Sequence, residues 1–133
     1  MRRKILFVCE GNVGRSQIAE AYYNNLVQKN SAISAGINDV ASKYNYRPTK
    51  EIIDTMLEEE IDISNQRIKH VTQPLVSKSE RVIILCDRKL CPPFLKKHKN
   101  VSYIIIEDPD KLTGKRLRRI RNQIKKLVLS LSG

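Results

Sequence analysis

The sequence contains no tryptophan and only two phenylalanines, and 5% of it is aromatic. Basic residues interleaved with stacking rings, the pattern of a nucleic-acid surface, are missing, and nucleic acid is not an expected partner. No apolar run approaches the ~18–20 residues that cross a membrane. The basic start Met1-Arg2-Arg3-Lys4 is followed by apolar residues only from Ile5 to Cys9 before Glu10. That is shorter than the ~7–15 residues of a signal-peptide core. Repeats, low-complexity tracts and linkers are also lacking. Three cysteines, an odd number, make no disulfide framework. A cytoplasmic location is expected, where thiols stay reduced, so these cysteines serve chemistry or packing. Acidic residues stop at Asp110. From Lys111 to Gly133 there are eight Lys or Arg, +8 of the net +11, and the first 110 residues are nearly balanced. At 133 residues, 41% hydrophobic, the chain suits one domain over 1–133, expected to be a monomer.

What is present alternates. "ILFV" (5–8) reads as a strand buried on both faces, and 16–28 as a helix with Ile18, Tyr22 and Leu26 in line. "SAISAG" (31–36) is a second strand, a helix begins near Pro48, and 72–78 is a short helix. "RVIILC" (81–86) and "VSYIII" (101–106) are two more buried strands. A last helix over 115–131 aligns Leu117, Ile120, Ile124, Leu127, Val128 and Leu131. Strands alternating with helices predict an α/β fold, a parallel sheet with helices on both faces. The longest irregular piece, 37–47, carries Tyr44 and Tyr46.

Chemistry concentrates in Cys9-Glu10-Gly11-Asn12-Val13-Gly14-Arg15-Ser16. Ligands of open α/β sheets bind beyond the carboxyl ends of the strands, and Cys9 ends the first strand. The residues after it lead into a helix N-terminus, whose free N–H groups and dipole attract an anion. Gly11 and Gly14 are expected to curl the loop with positive φ, and Asn12 tolerates it. Residues 10–15 then form an oxyanion nest, and the Arg15 fork suits two oxygens of a tetrahedral anion. In that field Cys9 should ionise below the ~8.5 of a free thiol, with Ser16 donating to the thiolate.

A cysteine, five residues, then arginine and serine resembles the signature of the low-molecular-weight protein tyrosine phosphatase superfamily. Nearly the whole chain shares in it. "GRSQIAEAYYNNL", "SAGI", "EEEIDISNQRIKHVT" and "VIILCDRKLCPPF" look most like the thioredoxin-coupled arsenate reductases. The resemblance implies a four-stranded parallel sheet in the order 2-1-3-4, with a Cys9 nucleophile and Arg15 as cradle. Two departures stand out. Gly14 sits where a second cysteine is usual, and Glu10, acidic, follows the nucleophile and should oppose thiolate formation unless it faces solvent.

The same resemblance makes Asp108, in its Asp-Pro step, the general acid. Asp110 stands where phosphatases carry aromatics, although Tyr44 and Tyr46 could line a wall. If strands 1 and 3 adjoin, Cys9 and Cys86 end neighbouring strands about 4.7–4.9 Å apart, within disulfide reach. In the arsenate reductases three thiols act in turn, which maps onto Cys9, Cys86 and Cys91, with a thioredoxin-like reductant and no required cofactor. The alternative is phosphotyrosine hydrolysis through a Cys9 phosphocysteine, with Cys86 and Cys91 as core residues; a third is a non-enzymatic anion- or nucleic-acid-binding module. A zinc site of Cys86, Cys91 and His98 lacks a fourth ligand. Some relatives hold potassium at positions matching Asn12, Glu20, Ser34 and Asp62; the other reading is a bracing hydrogen-bond network. The basic face of the last helix is expected to be solvated; the other reading is a docking surface for an acidic partner or nucleic acid.

Overall fold

Ile5, Leu6, Phe7 and Val8 are all buried on the strand that carries them, β1 (Arg3–Cys9). The computed structural model describes residues 3–131, so Met1 and Arg2 of the basic start lie outside it. β1 pairs in parallel with β2 (Ala32–Gly36) on one side and β3 (Ser79–Ile84) on the other. With β4 (Val101–Tyr103) the sheet reads β2-β1-β3-β4. Chain direction across the sheet therefore reverses between β1 and β3, where open α/β sheets form their crevice.

Alternation along β1 divides the core. Ile5, Phe7 and Cys9 face a layer made by α1 (Arg15–Tyr22), α2 (Lys50–Leu57) and α5 (Gly114–Ser130). Leu6 and Val8 face α3 (Gln73–Ser77) and α4 (Pro93–Lys96). Each fully buried aliphatic side chain contributes about 1.5–3 kcal/mol through lost apolar hydration. On α5 the aligned Leu117, Ile120, Ile124 and Val128 are all buried, as their spacing predicts. The start of α3 is locally encoded: Thr72 Oγ1 accepts the Leu75 N–H at 3.3 Å, and Pro74 occupies the first turn.

Several boundaries differ from the sequence reading. The first helix passes at Tyr23 into a π-helical turn, Tyr23–Val27, which sets the Tyr23 ring edge-on to Phe7 with centroids 6.2 Å apart. β3 ends at Ile84 rather than Cys86: the Leu85 N–H still donates to the Val8 carbonyl, and the Leu85 carbonyl accepts from both the Ile106 N–H and Arg15 Nη1. β4 is a three-residue edge strand and not a buried one; Ile105 is 67% exposed, and Ile106 swings into the α1/α5 layer. The one-turn α4 escapes notice because four residues show no helical period. Within 37–47 lies a 3-10 turn, Ala41–Tyr44, followed by Asn45 and Tyr46 at positive φ.

Candidate active site

Cys9 stands at the carboxyl end of β1, and residues 10–14 curl from it into α1. Asn12, at φ 61, makes the left-handed turn expected of Gly11 and Gly14. Asparagine adopts this conformation at little cost, and its side chain makes use of it. The Asn12 N–H donates to Cys9 Sγ at 3.3 Å. Its Nδ2 donates to Ser16 Oγ at 2.7 Å, and Ser16 Oγ lies 2.9 Å from the sulfur. With the serine oxygen already accepting, the hydroxyl proton is free to point at Cys9. An N–H and an O–H thus converge on one thiol.

The glycines have steric roles instead. A Cβ on Gly36, at the end of β2, would lie 2.6 Å from the Gly11 carbonyl carbon, so the cradle backbone rests directly on β2. A Cβ on Gly14 would meet the Pro109 ring at 2.8 Å. Glycine at the place where a second cysteine is usual therefore lets the Asp108-Pro109 loop close onto the cradle.

Arg15 is buried, and backbone ends of two strands aim it. Its Nη1 donates to the carbonyls of Leu85 (3.4 Å) and Ile106 (3.0 Å). Its Nη2 faces two carboxylates, Glu10 Oε1 at 3.7 Å and Asp108 Oδ2 at 3.9 Å. Both distances exceed a hydrogen bond, so the outer prong can still take an oxyanion. Asp108 is half-exposed, and its Oδ1 accepts the Asp110 N–H at 3.0 Å, which holds the loop's turn. Cys9, Glu10, Gly11, Val13, Gly14, Arg15 and Asp108 all border one cavity of about 430 Å³. Tyr44 lines it too. Tyr46 does not; it is exposed, with the Arg67 guanidinium 5.7 Å above its ring.

A description of low molecular weight phosphotyrosine protein phosphatases matches residues 4–132. The chain belongs to that family. It is 28% identical over 130 residues to an arsenate reductase of Staphylococcus xylosus, covering 93% of this chain and 92% of that one. It is 33% identical over 85 residues to a probable low molecular weight protein-tyrosine-phosphatase, EpsP, of Ralstonia nicotianae, covering 64% and 57%. A solved structure of an arsenate reductase in the phosphate binding state superposes with TM-score 0.82 at 29% identity, covering 98% of this chain and 96% of that one. The protein is thus an oxyanion enzyme of the phosphatase family, with the sheet order that family implies.

In this family member the thiols divide. Cys86 and Cys91 lie together in the apolar layer of Leu6, Val8, Ile84 and Leu95, on the face of the sheet opposite Cys9. Burial pushes the Cys86 thiol up to about 12, with the nearby charges of Cys9 and Cys91 adding to the shift and Arg15 opposing it. Burial raises Cys91 as well. Neither borders the cavity. His98 is turned away from a zinc role, since its Nε2 meets the Ser79 carbonyl and its Nδ1 accepts the Asn100 N–H.

The four oxygens expected around potassium are otherwise engaged. Ser34 Oγ donates to Glu20 Oε1 at 2.7 Å, and the Lys69 ammonium stands 3.7 Å from the same oxygen. Asn12 Oδ1 accepts from Gln17 Nε2 and from the Lys69 N–H, and exposed Asp62 accepts from the Ser64 N–H. A positive charge already faces Glu20, so these residues do not suit a second cation. Gln17 and Gln66 complete the brace: Gln17 Nε2 donates to Asn12 O and Arg67 O, and Gln66 Nε2 to Gln17 Oε1. The sequence reading missed Gln17, Gln66 and Lys69. Only the Gln17 position, one helical step past Ser16, hinted at a role.

The basic face of α5 is more paired than expected. Arg118 and Arg121 both bind Glu58, and Lys125 binds Glu59 at 3.0 Å. Arg121 is buried rather than solvated, its Nη1 donating to the Thr55 carbonyl at 2.9 Å. The two arginines hold the Glu58 carboxyl down to about 2.

Proposed function

We propose that the protein is an arsenate reductase in which Cys9, Cys86 and Cys91 act in succession. The observation that carries this reading is the likeness to arsenate reductases over 93% of the chain, in a sequence that keeps all three thiols. The Cys9 thiolate attacks arsenate, forming an S–As bond while an arsenate oxygen leaves as water, protonated by Asp108. The Cys86 thiolate then attacks Cys9 Sγ. A Cys9–Cys86 disulfide forms as the S–As bond breaks, and its electron pair reduces arsenic(V) to arsenite. Cys91 attacks Cys86 and releases Cys9 as a thiol. A thioredoxin-like dithiol reduces the resulting Cys86–Cys91 pair. The relay requires Cys86 to leave its apolar layer, since a thiol held near 12 is a poor nucleophile at neutral pH.

That requirement is the specific observation favouring a second reading, phosphotyrosine hydrolysis through a Cys9 phosphocysteine with Asp108 as acid. It needs no other thiol. The two readings part in one experiment: thioredoxin-dependent arsenate loss beside hydrolysis of an aryl phosphate, on wild type, Cys86→Ser and Cys91→Ser. The relay predicts that Cys86→Ser loses arsenate reduction completely and keeps aryl phosphate turnover. It predicts one turnover for Cys91→Ser, ending in joined Cys9 and Cys86 peptides. Arsenate loss unaffected by either substitution would overturn the relay, and its absence from the wild type would leave the phosphatase reading.

A further inference from the structure

The geometry points to Glu10 as the residue that chooses among oxyanions: we propose that its carboxylate accepts the O–H of a protonated tetrahedral anion, favouring free arsenate and phosphate over sulfate and phosphate esters. This deepens the oxyanion-cradle reading of Cys9 and Arg15 and rests on it.

Of the two prongs of Arg15, Nη1 is committed to the carbonyls of Leu85 and Ile106. That leaves Nη2 and the Nε–H for an anion, and Glu10 Oε1 stands 3.7 Å from Nη2. The side chain is 43% exposed yet borders the cavity, and its backbone is fixed where the Glu10 carbonyl accepts the Asn38 N–H at 2.7 Å. Any oxygen seated on Nη2 becomes a neighbour of this carboxylate. A carboxylate can only accept. Beside a bare anion oxygen it repels; beside an O–H it forms a charge-assisted hydrogen bond. Hydrogen arsenate and hydrogen phosphate keep one O–H even as dianions. Sulfate and a dianionic monoester have none.

The remaining charges on the cavity wall do not supply this choice. Lys43 is held 5.8 Å over the Tyr44 ring, and Lys111 is a donor, indifferent to the anion's proton. Glu51 and Asp110 border the cavity without a contact to Arg15, which leaves Asp108 as the one other carboxylate on Nη2 among the described residues. Asp108 is the internal control.

Calorimetric titration with phosphate, arsenate and sulfate at about pH 8, where phosphate and sulfate both carry two charges, removes the Coulomb difference between them. Wild type should bind phosphate and arsenate roughly tenfold or more tighter than sulfate, the scale of one charge-assisted hydrogen bond. Glu10→Gln should bring sulfate within about threefold of phosphate, mainly by tightening sulfate, while Glu10→Asp keeps the preference. Arg15→Lys should weaken all three. An unchanged preference in Glu10→Gln, or its loss in Asp108→Asn instead, overturns the role of Glu10 and leaves the cradle intact. Anion binding indifferent to Arg15→Lys overturns the cradle, and Glu10 with it.

Discussion

Cys9 ends β1 and Cys86 lies two residues past the end of the adjacent β3, yet their surroundings are opposite. Cys9 points into the layer shared with α1 and meets the Asn12 N–H and the Ser16 hydroxyl. Cys86 points into the other layer, among Leu6, Val8 and Cys91. The register explains the split. Val8 is level with Ile84, so Cys9 is level with Leu85, and Cys86 falls one residue out of phase. Period-two alternation then sends the two thiols to opposite faces. A thiol's reactivity here depends less on its strand than on which side of the sheet it leaves from.

The contrast should be largest in labelling. At neutral pH, iodoacetamide should modify Cys9 at least about a hundredfold faster than Cys86 or Cys91 in the folded protein, because alkylation needs thiolate and burial suppresses it at both other sites. Peptide mapping over a time course measures it. Comparable rates for Cys9 and Cys86 would erase the distinction between the two strand ends. Adding arsenate sharpens the test, since a relay that draws Cys86 out of its layer must expose it to the reagent or to Cys9.

A smaller effect is expected from Ser16→Ala. It removes the hydroxyl at 2.9 Å from the sulfur and leaves the Asn12 N–H in place. One hydrogen bond to a charged group is worth about 1.5–3 kcal/mol, so alkylation of Cys9 near neutral pH should slow about tenfold. The near-ultraviolet circular dichroism should stay that of the wild type, because only one hydrogen bond is lost. A changed spectrum would mean a displaced loop instead.

The geometry of the candidate cradle was legible because it is local. Cys9, Asn12, Arg15 and Ser16 lie within one strand-to-helix connection, and residue type and spacing carry their chemistry. The apolar stripe of α5 was legible for the same reason. What failed needed partners distant in sequence. Arg121 reads as a solvated cation on any helical wheel, and only the packing of α2 shows it buried against Thr55 and Glu58. Lys69 looks like one surface lysine among many until the fold sets it beside Glu20. The face taken by Cys86 follows from the register of β1 on β3, which packing fixes and sequence alone does not.

The smallest expected effect is on alkaline stability, and it reads the buried thiol directly. The folded-state value of Cys86, about 12, lies above the ordinary thiol value of 9.0. A group raised in this way stays protonated in the native state and ionises once the chain unfolds. Its contribution is fully present below about pH 9, and is lost as pH rises toward about 12. One proton accounts for a slope of at most about 1.4 kcal/mol per pH unit. Lysines and tyrosines titrate in the same window, so the informative quantity is a difference. Urea unfolding of wild type and Cys86→Ala between about pH 8 and 10.5 should give curves that converge as pH rises. The cavity left by the missing sulfur costs the variant a nearly constant amount at every pH. Parallel curves would mean that Cys86 ionises as readily folded as unfolded, and the apolar layer would then offer no barrier to its use as a nucleophile.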